Sequence, residues 1–283
     1  GIQGSGEPLQ QIQRMRPVVL GARIGHILRH MQLHFGAPQG LRRLQLGNQV
    51  TADVRDRRPE ALARVTEELR GEIDFRIFLQ YIFFRQWNAL RAHAKEKGIQ
   101  IIGDIPIYVS ADSSDVWTHP ELFKLKPDLS PKLVAGVPPD YYSATGQLWG
   151  NPVYNWAAHK KTGYAWWIWR MKSNMALFDV VRLDHFRGFA AYWEVDAAED
   201  TAINGKWRKG PGMELFRAIE KALGPIPLIA EDLGVQTDEV RELLSASGFP
   251  GMRVLIFGFT PDYDNEHPDY LPACIEAGSR KAK

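Results

Sequence analysis

Cysteine is almost missing from this sequence of 283 residues, and long apolar runs are missing altogether. Cys274 is the only cysteine, so an intrachain disulfide is excluded and a reducing, cytoplasmic setting is expected. No uninterrupted apolar stretch reaches the roughly 18 residues of a membrane-spanning helix, and the first residues lack the apolar core of a signal peptide. We therefore expect a soluble protein with no membrane partner.

The sequence motifs of several common chemistries are also missing. There is no G-x-G-x-x-G or G-x-x-x-x-G-K-[ST] phosphate loop, no G-x-S-x-G nucleophile elbow and no H-E-x-x-H zinc motif. These absences count against a dinucleotide-binding sheet, a Ser/His/Asp hydrolase and a zinc hydrolase. Three histidines recur at helical spacing, namely His26, His30 and His34. No acidic residue lies between Glu7 and Asp53 to complete a metal site, so we predict a histidine stripe on a helix surface, no metal and no cofactor.

Charge is low overall but uneven along the chain. The formal net charge is +2, whereas the first fifty residues hold six arginines against one glutamate, a local net charge of +5. Such a segment can bind nucleic acid, but no aromatic residues are interleaved with these arginines in the way that nucleic-acid surfaces favour. We predict no nucleic-acid partner and describe residues 1–71 as a basic helical segment without an assigned role.

The most informative stretch spans residues 179–189, where a buried-strand pattern runs into a polar cluster. Val180, Val181 and Leu183 are typical of a strand covered on both faces. Side chains alternate along a strand, so Arg182 and Asp184 share one face, and the arginine favours the ionised carboxylate that a nucleophile needs. The alternative is a structural ion pair at the end of a strand.

Helix and strand patterns alternate through the second half of the chain. Helices are predicted at 73–97, 164–178, 212–223 and 237–245, and strands at 99–103, from 180, at 227–230 and at 252–257. Short joins between these units predict a parallel α/β protein of the (β/α)8 TIM-barrel type, with an open doubly wound sheet as the alternative. Three of the strands end in a carboxylate, namely Asp104, Asp184 and Glu231. The carboxyl ends of barrel strands carry catalytic residues.

A long insertion, residues 108–161, separates the first of these carboxylates from the next helix. Its aromatic residues Tyr141, Tyr142 and Trp149 can stack on sugar rings or bases, and Asp140 and Asn151 can form hydrogen bonds with hydroxyl groups. Loops of this length in a compact domain are usually functional or disordered. The alternative is a small hydrophobic cluster beneath a long loop.

Asp184 and Glu231 are one β/α unit apart, so in a barrel they end adjacent strands. Adjacent strands lie about 4.8 Å apart, which can bring two carboxyl groups to the roughly 5–5.5 Å of retaining glycosidases. In that chemistry one carboxylate attacks the anomeric carbon and the other acts first as acid and then as base. We predict Glu231 as the acid because a drier position after an apolar strand raises its pKa, whereas Asp232 faces the other way.

Six motifs, in order, resemble those of the 4-alpha-glucanotransferases of glycoside hydrolase family 77, also called amylomaltases or disproportionating enzymes. They are Gly103–Val109, Val137–Gln147, Trp149–Pro152, Arg182–Phe189, Ile229–Gly234 and Pro250–Val254. The resemblance implies a barrel related to that of the α-amylases. It also implies transfer of α-1,4-glucan segments between maltooligosaccharides through a covalent glucosyl-enzyme.

The same resemblance implies roles for individual residues. Asp184 matches the nucleophile, Glu231 the acid/base, and Arg182 the arginine that orients the nucleophile. The matching substrate-binding positions are Asp104, Tyr141, Tyr142, Trp149, Asn151 and His185. The aromatic loop covers the glucan, and excluding water favours transfer to an acceptor sugar over hydrolysis of the α-amylase kind.

The sequence also departs from the family pattern. The family's third catalytic carboxylate lies in a Thr-Gly-Thr-His-Asp motif that this sequence lacks. Motif order assigns residues 72–260 to about strands three to six of a barrel, with the insertion at 108–161 and a divergent tail at 261–283. We expect little or no transferase activity from residues 1–283 alone. The alternative is a non-catalytic α-glucan-binding or interaction module derived from the enzyme.

Overall fold

The computed structural model describes residues 51–140, 143–234 and 236–254. The chain divides into two compact units. The first takes in Val109–Leu133, Gly150–Asn155 and the described part of Gly1–Lys97, and the second takes in Gly98–Tyr108, Val134–Trp149 and the described part of Trp156–Lys283. The predicted histidine stripe, the tail at 261–283 and most of the basic segment lie outside the described residues.

Helices dominate the first unit. They are α1 (Ala52–Arg55), α2 (Pro59–Glu68), α3 (Arg70–Glu96) and α4 (Ser114–Thr118). The sequence predicted the long helix at 73–97, and α3 confirms it. Glu72 lies in the first turn and pairs with Arg76 one turn later, with 2.7 Å between Nη2 and Oε1, while Lys95 lies in the last turn. The helix ends before Gly98, whose φ of +69° suits glycine.

The part of the insertion that belongs to the first unit is held by specific contacts. Ser113 caps α4 by accepting a hydrogen bond from the backbone N–H of Val116 at 3.2 Å. The rings of Phe123 and Tyr154 lie 5.3 Å apart, and the N–H of Lys124 donates to the carbonyl of Val153 at 2.9 Å. A segment interpreted from sequence as a long loop is therefore an ordered structure with a buried aromatic pair.

A parallel sheet forms the centre of the second unit. Its strands are β1 (Ile102–Ile105), β4 (Val180–Leu183) and β7 (Leu228–Ala230), in the order β1-β4-β7. The register pairs Asp104 with Arg182, and Arg182 with Ile229. This confirms the predicted α/β class and three of the four predicted strands. Of the fourth, at 252–257, residues 252–254 have no regular secondary structure and the rest lies outside the described residues.

A second sheet was not predicted from the sequence. It contains β2 (Leu133–Val137), β3 (Gln147–Pro152), β5 (Ala191–Asp196) and β6 (Lys206–Lys209), in the order β3-β2-β5-β6. β5 and β6 are antiparallel and place Trp193 opposite Trp207. All four residues of β6, Lys-Trp-Arg-Lys, are exposed, so this strand lacks the apolar alternation by which strands are recognised.

Four α-helices lie in the described part of the second unit. They are α5 (Trp156–Lys161), α6 (Ala165–Met175), α7 (Met213–Leu223) and α8 (Asp238–Ser247). The last three confirm the predicted helices within a few residues, and α6 packs against both α7 and β4. Aromatic rings form their shared core. The ring centroid of Phe189 lies 5.3 Å from that of Trp167 and 5.2 Å from that of Phe216, and the centroids of Phe186 and Phe216 lie 5.5 Å apart. Within the described ranges, no helix is long and apolar enough to cross a membrane.

Gly103 is the tightest point of the parallel sheet. A Cβ at this position would lie 2.1 Å from Cδ2 of Phe178, so we expect Gly103→Ala to lower the free energy of unfolding by about 1–3 kcal/mol through overpacking. Urea denaturation measures the change. Phe178→Leu should free part of the space beside residue 103. The free energy of unfolding of the double variant should therefore fall by less than the sum of the two single decreases. Strict additivity would contradict this packing.

Candidate active site

Three carboxylates lie toward the carboxyl edge of the parallel sheet, because Asp184 and Glu231 directly follow the ends of β4 and β7 and Asp104 is the last residue but one of β1. The backbone ladder continues one residue beyond β4 and β7. The N–H of Asp184 donates to the carbonyl of Ile105, and the N–H of Glu231 donates to the carbonyl of Leu183, both at 2.9 Å. Asp184 and Glu231 are therefore fixed by the sheet itself, and Asp104 lies within β1.

The guanidinium of Arg182 links two of these carboxylates. Its Nε donates to Oδ1 of Asp104 and its Nη2 donates to Oδ2 of Asp104, both at 2.8 Å, which is a bidentate pair. The same Nη2 lies 3.0 Å from Oδ1 of Asp184, and Nη1 lies 4.0 Å from Sδ of Met252. The hydrogen bonds to Asp104 raise the pKa of Arg182, so the site keeps a permanent positive charge beside Asp184.

The pKa of Asp184 is set by opposing effects. Burial raises the pKa of Asp184, and its attraction to Arg182 is not large enough to reverse that shift, while nearby Asp104 raises it further. The prediction that Arg182 favours the ionised carboxylate agrees with the lowering effect of Arg182, and the net shift is upward because burial outweighs it. Desolvation is the effect that pattern reasoning on a strand does not weigh.

Glu231 is held by two backbone donors. The N–H of His185 donates to Oε2 and the N–H of Leu233 donates to Oε1, both at 2.9 Å. Burial raises the pKa of Glu231, and these two hydrogen bonds partly oppose it. This direction agrees with the prediction for a carboxyl after an apolar strand. It leaves Glu231 better suited than an exposed glutamate to donate a proton.

Asp232, the next residue, points away from the three carboxylates, as the strand alternation predicted. It is buried, and its Oδ1 accepts a hydrogen bond from the N–H of Met252 at 2.7 Å. Its Oδ2 lies 3.1 Å from Nη1 of Arg253. Asp232 thus anchors the turn that brings Met252 to Arg182. Met252 lies inside one of the six motifs, but its residue type alone gives no signal of a role in the site.

An aromatic group lies beside Glu231. The ring of His185 meets the indole of Trp149 edge-on, with 4.9 Å between ring centroids and 85° between planes, and the ring of Tyr108 lies 6.3 Å from Trp149. Burial lowers the pKa of His185 to about 4, so its imidazole is neutral near pH 7. Tyr108 is a further residue that the sequence analysis quoted in a motif but did not single out.

Four further polar or aromatic residues of the insertion were singled out from the sequence, namely Asp140, Tyr141, Tyr142 and Asn151. Tyr141 and Tyr142 lie outside the described residues. Asn151 belongs to the first unit, where its Nδ2 donates to the carbonyl of Val109 at 2.9 Å. Asp140 accepts the N–H of Ser143 at 2.8 Å. The cluster that the structure does assemble consists of Asp104, Trp149, Arg182, Asp184, His185 and Glu231.

The arrangement favours acid–base and nucleophilic chemistry. One carboxylate is oriented by an arginine, and a second, partly dry carboxylate with a raised pKa ends the adjacent strand. Two carboxyl groups in such different surroundings can divide the roles of nucleophile and acid/base. Across residues 51–140, 143–234 and 236–254, no group of three or more His, Cys, Asp or Glu side chains could hold a metal ion.

Comparisons with known proteins give a consistent result. A family profile described as 4-alpha-glucanotransferase matches residues 42–279. The 4-alpha-glucanotransferase of Aquifex aeolicus (strain VF5) is 54% identical over 224 residues, which cover 79% of this chain and 45% of that relative. The 4-alpha-glucanotransferase of Clostridium butyricum is 50% identical over 226 residues, covering 80% of this chain and 46% of the relative.

Among solved structures, the chain is similar to the amylomaltase from Streptococcus agalactiae in complex with acarbose. The two share 42% sequence identity and a TM-score of 0.79, with 91% of this chain and 51% of that chain covered. The chain therefore spans about half the length of the relatives that it matches.

The raised pKa of Glu231 predicts a pH-dependent stability. The folded protein binds the Glu231 proton more tightly than the unfolded chain, whose glutamate titrates near 4.5. The stability that comes from a neutral Glu231 is complete below that value and is lost as pH rises through the folded pKa. As pH rises from below 4.5 to neutrality we therefore expect the wild type to lose stability relative to Glu231→Gln, measured by urea unfolding.

Glu239 provides a control of opposite sign. Its pKa is lowered, chiefly by a hydrogen bond from its own backbone N–H and one from Thr237. Its contribution is therefore present at high pH and lost as pH falls through the folded pKa. Glu239→Gln should lose stability relative to the wild type as pH rises, the reverse of Glu231→Gln. Parallel pH profiles for the two variants would contradict the assignment.

Proposed function

The chain belongs to the 4-alpha-glucanotransferase family, glycoside hydrolase family 77, and on that basis we propose that it transfers α-1,4-glucan segments between maltooligosaccharides with retention of configuration. The observation that carries the proposal is the pair of carboxylates at the ends of adjacent parallel strands. Asp184 lies against Arg182, and Glu231 is held by two backbone N–H groups. Different surroundings give the two carboxyl groups different roles.

In the first step, an oxygen of Asp184 attacks the anomeric carbon of the donor glucan. The bond to the glycosidic oxygen breaks, its electron pair stays on that oxygen, and Glu231 supplies the proton. A covalent glucosyl–Asp184 ester results, and the shortened glucan leaves. Arg182 contributes by fixing the attacking carboxylate, since its own position is set by the bidentate pair with Asp104.

In the second step, the 4-hydroxyl of an acceptor sugar attacks the same carbon from the face that the first product left. Glu231, now ionised, takes the hydroxyl proton, and the bond to Asp184 breaks to restore the free carboxylate. Two inversions give net retention. The burial that raises the pKa of Glu231 favours its protonated form before the first step, and its two backbone donors stabilise the anion formed in between.

The aromatic residues support transfer rather than hydrolysis. Trp149 lies between Tyr108 and His185, and a sugar ring stacked there would exclude water from the glucosyl ester. We propose that Tyr141, Tyr142 and Asn151 also bind the glucan, as the resemblance to the family implies. The similar amylomaltase of Streptococcus agalactiae was solved with acarbose, which supports an α-glucan as ligand.

We further propose the architecture and setting that accompany this function. The sheet β1-β4-β7, with its parallel strands and intervening helices, is interpreted as part of a (β/α)8 barrel, of which residues 72–260 form the central part, about strands three to six. The chemistry uses carboxylates alone, without a metal or cofactor. A cytoplasmic location is consistent with a single cysteine.

The second candidate function is a non-catalytic α-glucan-binding module. The ring contacts of Trp149 with Tyr108 and His185 favour it, because they form a stacking surface that does not depend on proton transfer. The two functions differ in one measurable property. A transferase changes the length distribution of maltooligosaccharides, whereas a binding module leaves it unchanged.

Incubation with maltotriose tests the catalytic proposal. Transfer should produce glucose together with longer oligosaccharides without raising the number of reducing ends, and chromatography measures both. Asp184→Asn removes the nucleophile and should lower the rate on the order of 10³-fold or more. Asp238→Asn makes the same chemical change at a carboxylate that is 91% exposed and should leave the rate unchanged. A rise in reducing ends would instead indicate hydrolysis.

Binding to maltoheptaose, measured by calorimetry, separates the two candidates when no transfer is detected. Heat of binding that is lost in Trp149→Ala and kept in Asp184→Asn would support the glucan-binding module and agree with the expectation that residues 1–283 alone have little activity. The absence of both transfer products and binding would contradict both functions.

A further inference from the structure

His185 has an unusual backbone for its residue type. It follows Asp184 directly and has φ of 53° and ψ of 50°, the left-handed conformation that residues other than glycine seldom adopt. The other non-glycine residues with positive φ in the described part of the chain are Arg57, Leu129 and Tyr164. Such a conformation beside a candidate nucleophile is a reason to ask what it achieves.

The left-handed turn attaches the chain after Asp184 to Glu231 at two points. The N–H of His185 donates to the side-chain Oε2 of Glu231 at 2.9 Å, and the N–H of the next residue, Phe186, donates to the main-chain carbonyl of Glu231 at 3.0 Å. The turn is closed by the N–H of Gly188, which donates to the carbonyl of His185 at 2.9 Å. An extended residue at 185 would rotate the chain that follows it, so the N–H of Phe186 would leave the carbonyl of Glu231 and the carboxylate would no longer be held beside the N–H of His185.

The imidazole of His185 is placed by packing. It meets Trp149 edge-on at 4.9 Å, and a Cβ at Gly188 would lie 3.1 Å from its Cδ2 and 2.6 Å from Cδ1 of Ile107. Glycine at 188 therefore leaves room for the ring. The imidazole is neutral near pH 7 and so contributes contact area rather than charge.

We propose that His185 is a positioning residue with two separable parts: its backbone N–H fixes the acid/base carboxylate of Glu231, and its imidazole supports the sugar-stacking face of Trp149. The proposal rests on the proposed function and refines it. The resemblance to the family implied only that His185 binds substrate. In this proposal His185, which directly follows the nucleophile, fixes the position of the proton donor Glu231 and of the aromatic ring of Trp149.

The pKa of Glu231 can serve as the readout, because the charged groups that act on it have been identified. Asp184 raises the pKa of Glu231 and Arg182 lowers it, and the remaining contributions are burial and the N–H groups of Leu233 and His185. Arg187 acts on His185 and lowers its pKa. Loss of the His185 N–H alone should therefore move the pKa of Glu231 upward, because an ionised carboxylate loses a donor.

Substitutions chosen for their backbone preference separate the two parts. His185→Gly and His185→Asn tolerate the left-handed conformation and keep the N–H in place but lose the imidazole. His185→Val also loses the imidazole, and its β-branched side chain disfavours the conformation. The pKa of Glu231 is followed by ¹³C NMR of its carboxyl carbon, assigned by the resonance that disappears in Glu231→Gln. Affinity for acarbose is measured by calorimetry on the same samples.

We expect all three variants to bind acarbose about three- to tenfold more weakly, as loss of one aromatic pair implies. We expect only His185→Val to raise the pKa of Glu231. A raised pKa in His185→Gly as well would overturn the backbone role. Unchanged acarbose affinity in His185→Gly would overturn the role of the imidazole. If the valine variant does not fold, the glycine and asparagine variants must still leave the pKa of Glu231 in place.

The two readouts also separate this inference from the proposed function. Failure of the wild type to bind acarbose would contradict the proposed function and, with it, the part of the inference that concerns Trp149. The NMR comparison needs no ligand. It would still support or overturn the role of the His185 N–H at Glu231.

Discussion

The bidentate ion pair between Arg182 and Asp104 is the interaction on which the rest of the site depends. It joins β1 to β4 across the sheet, and it fixes the guanidinium that contacts Asp184. The side chain of Asp104 is 54% exposed, so the value of this pair lies in its geometry, because two parallel hydrogen bonds hold the guanidinium in one orientation. Sheet register and ion pairing therefore together determine where the nucleophile lies.

Much of this fold was predictable because its signals are local. Each predicted element has a pattern that can be read within its own segment, as for the strands before Asp184 and Glu231 and for the helix α3. Alternation along a strand also gave the correct face for Arg182 and Asp232. The sheet β3-β2-β5-β6 was not predictable in the same way. Its strands are short, β6 is exposed throughout, and their identity depends on partners distant in sequence.

The site was predictable in its residue types but less so in its energetics. Asp104, Asp184 and Glu231 were found by position, and motif resemblance assigned their roles. The net pKa of Asp184 depends on desolvation, which is a property of the whole surrounding structure. The side-chain amide of Asn151 donates a hydrogen bond to the backbone carbonyl of Val109, which its residue type did not predict. The left-handed turn at His185 was not predictable either, because histidine is not a residue type that indicates this conformation.

The parallel register has a consequence for how such a chain can change in length. Asp104, Asp184 and Glu231 face their site because each strand keeps a fixed alternation from its first residue to its last. One inserted or deleted residue within β4 would turn Asp184 toward the opposite face of the sheet. Length changes elsewhere in the connections leave that alternation intact, whereas the turn directly after Asp184 is tied to Glu231 by two hydrogen bonds. A change in chain length that keeps the site must therefore preserve the parity of each strand and fall outside that turn.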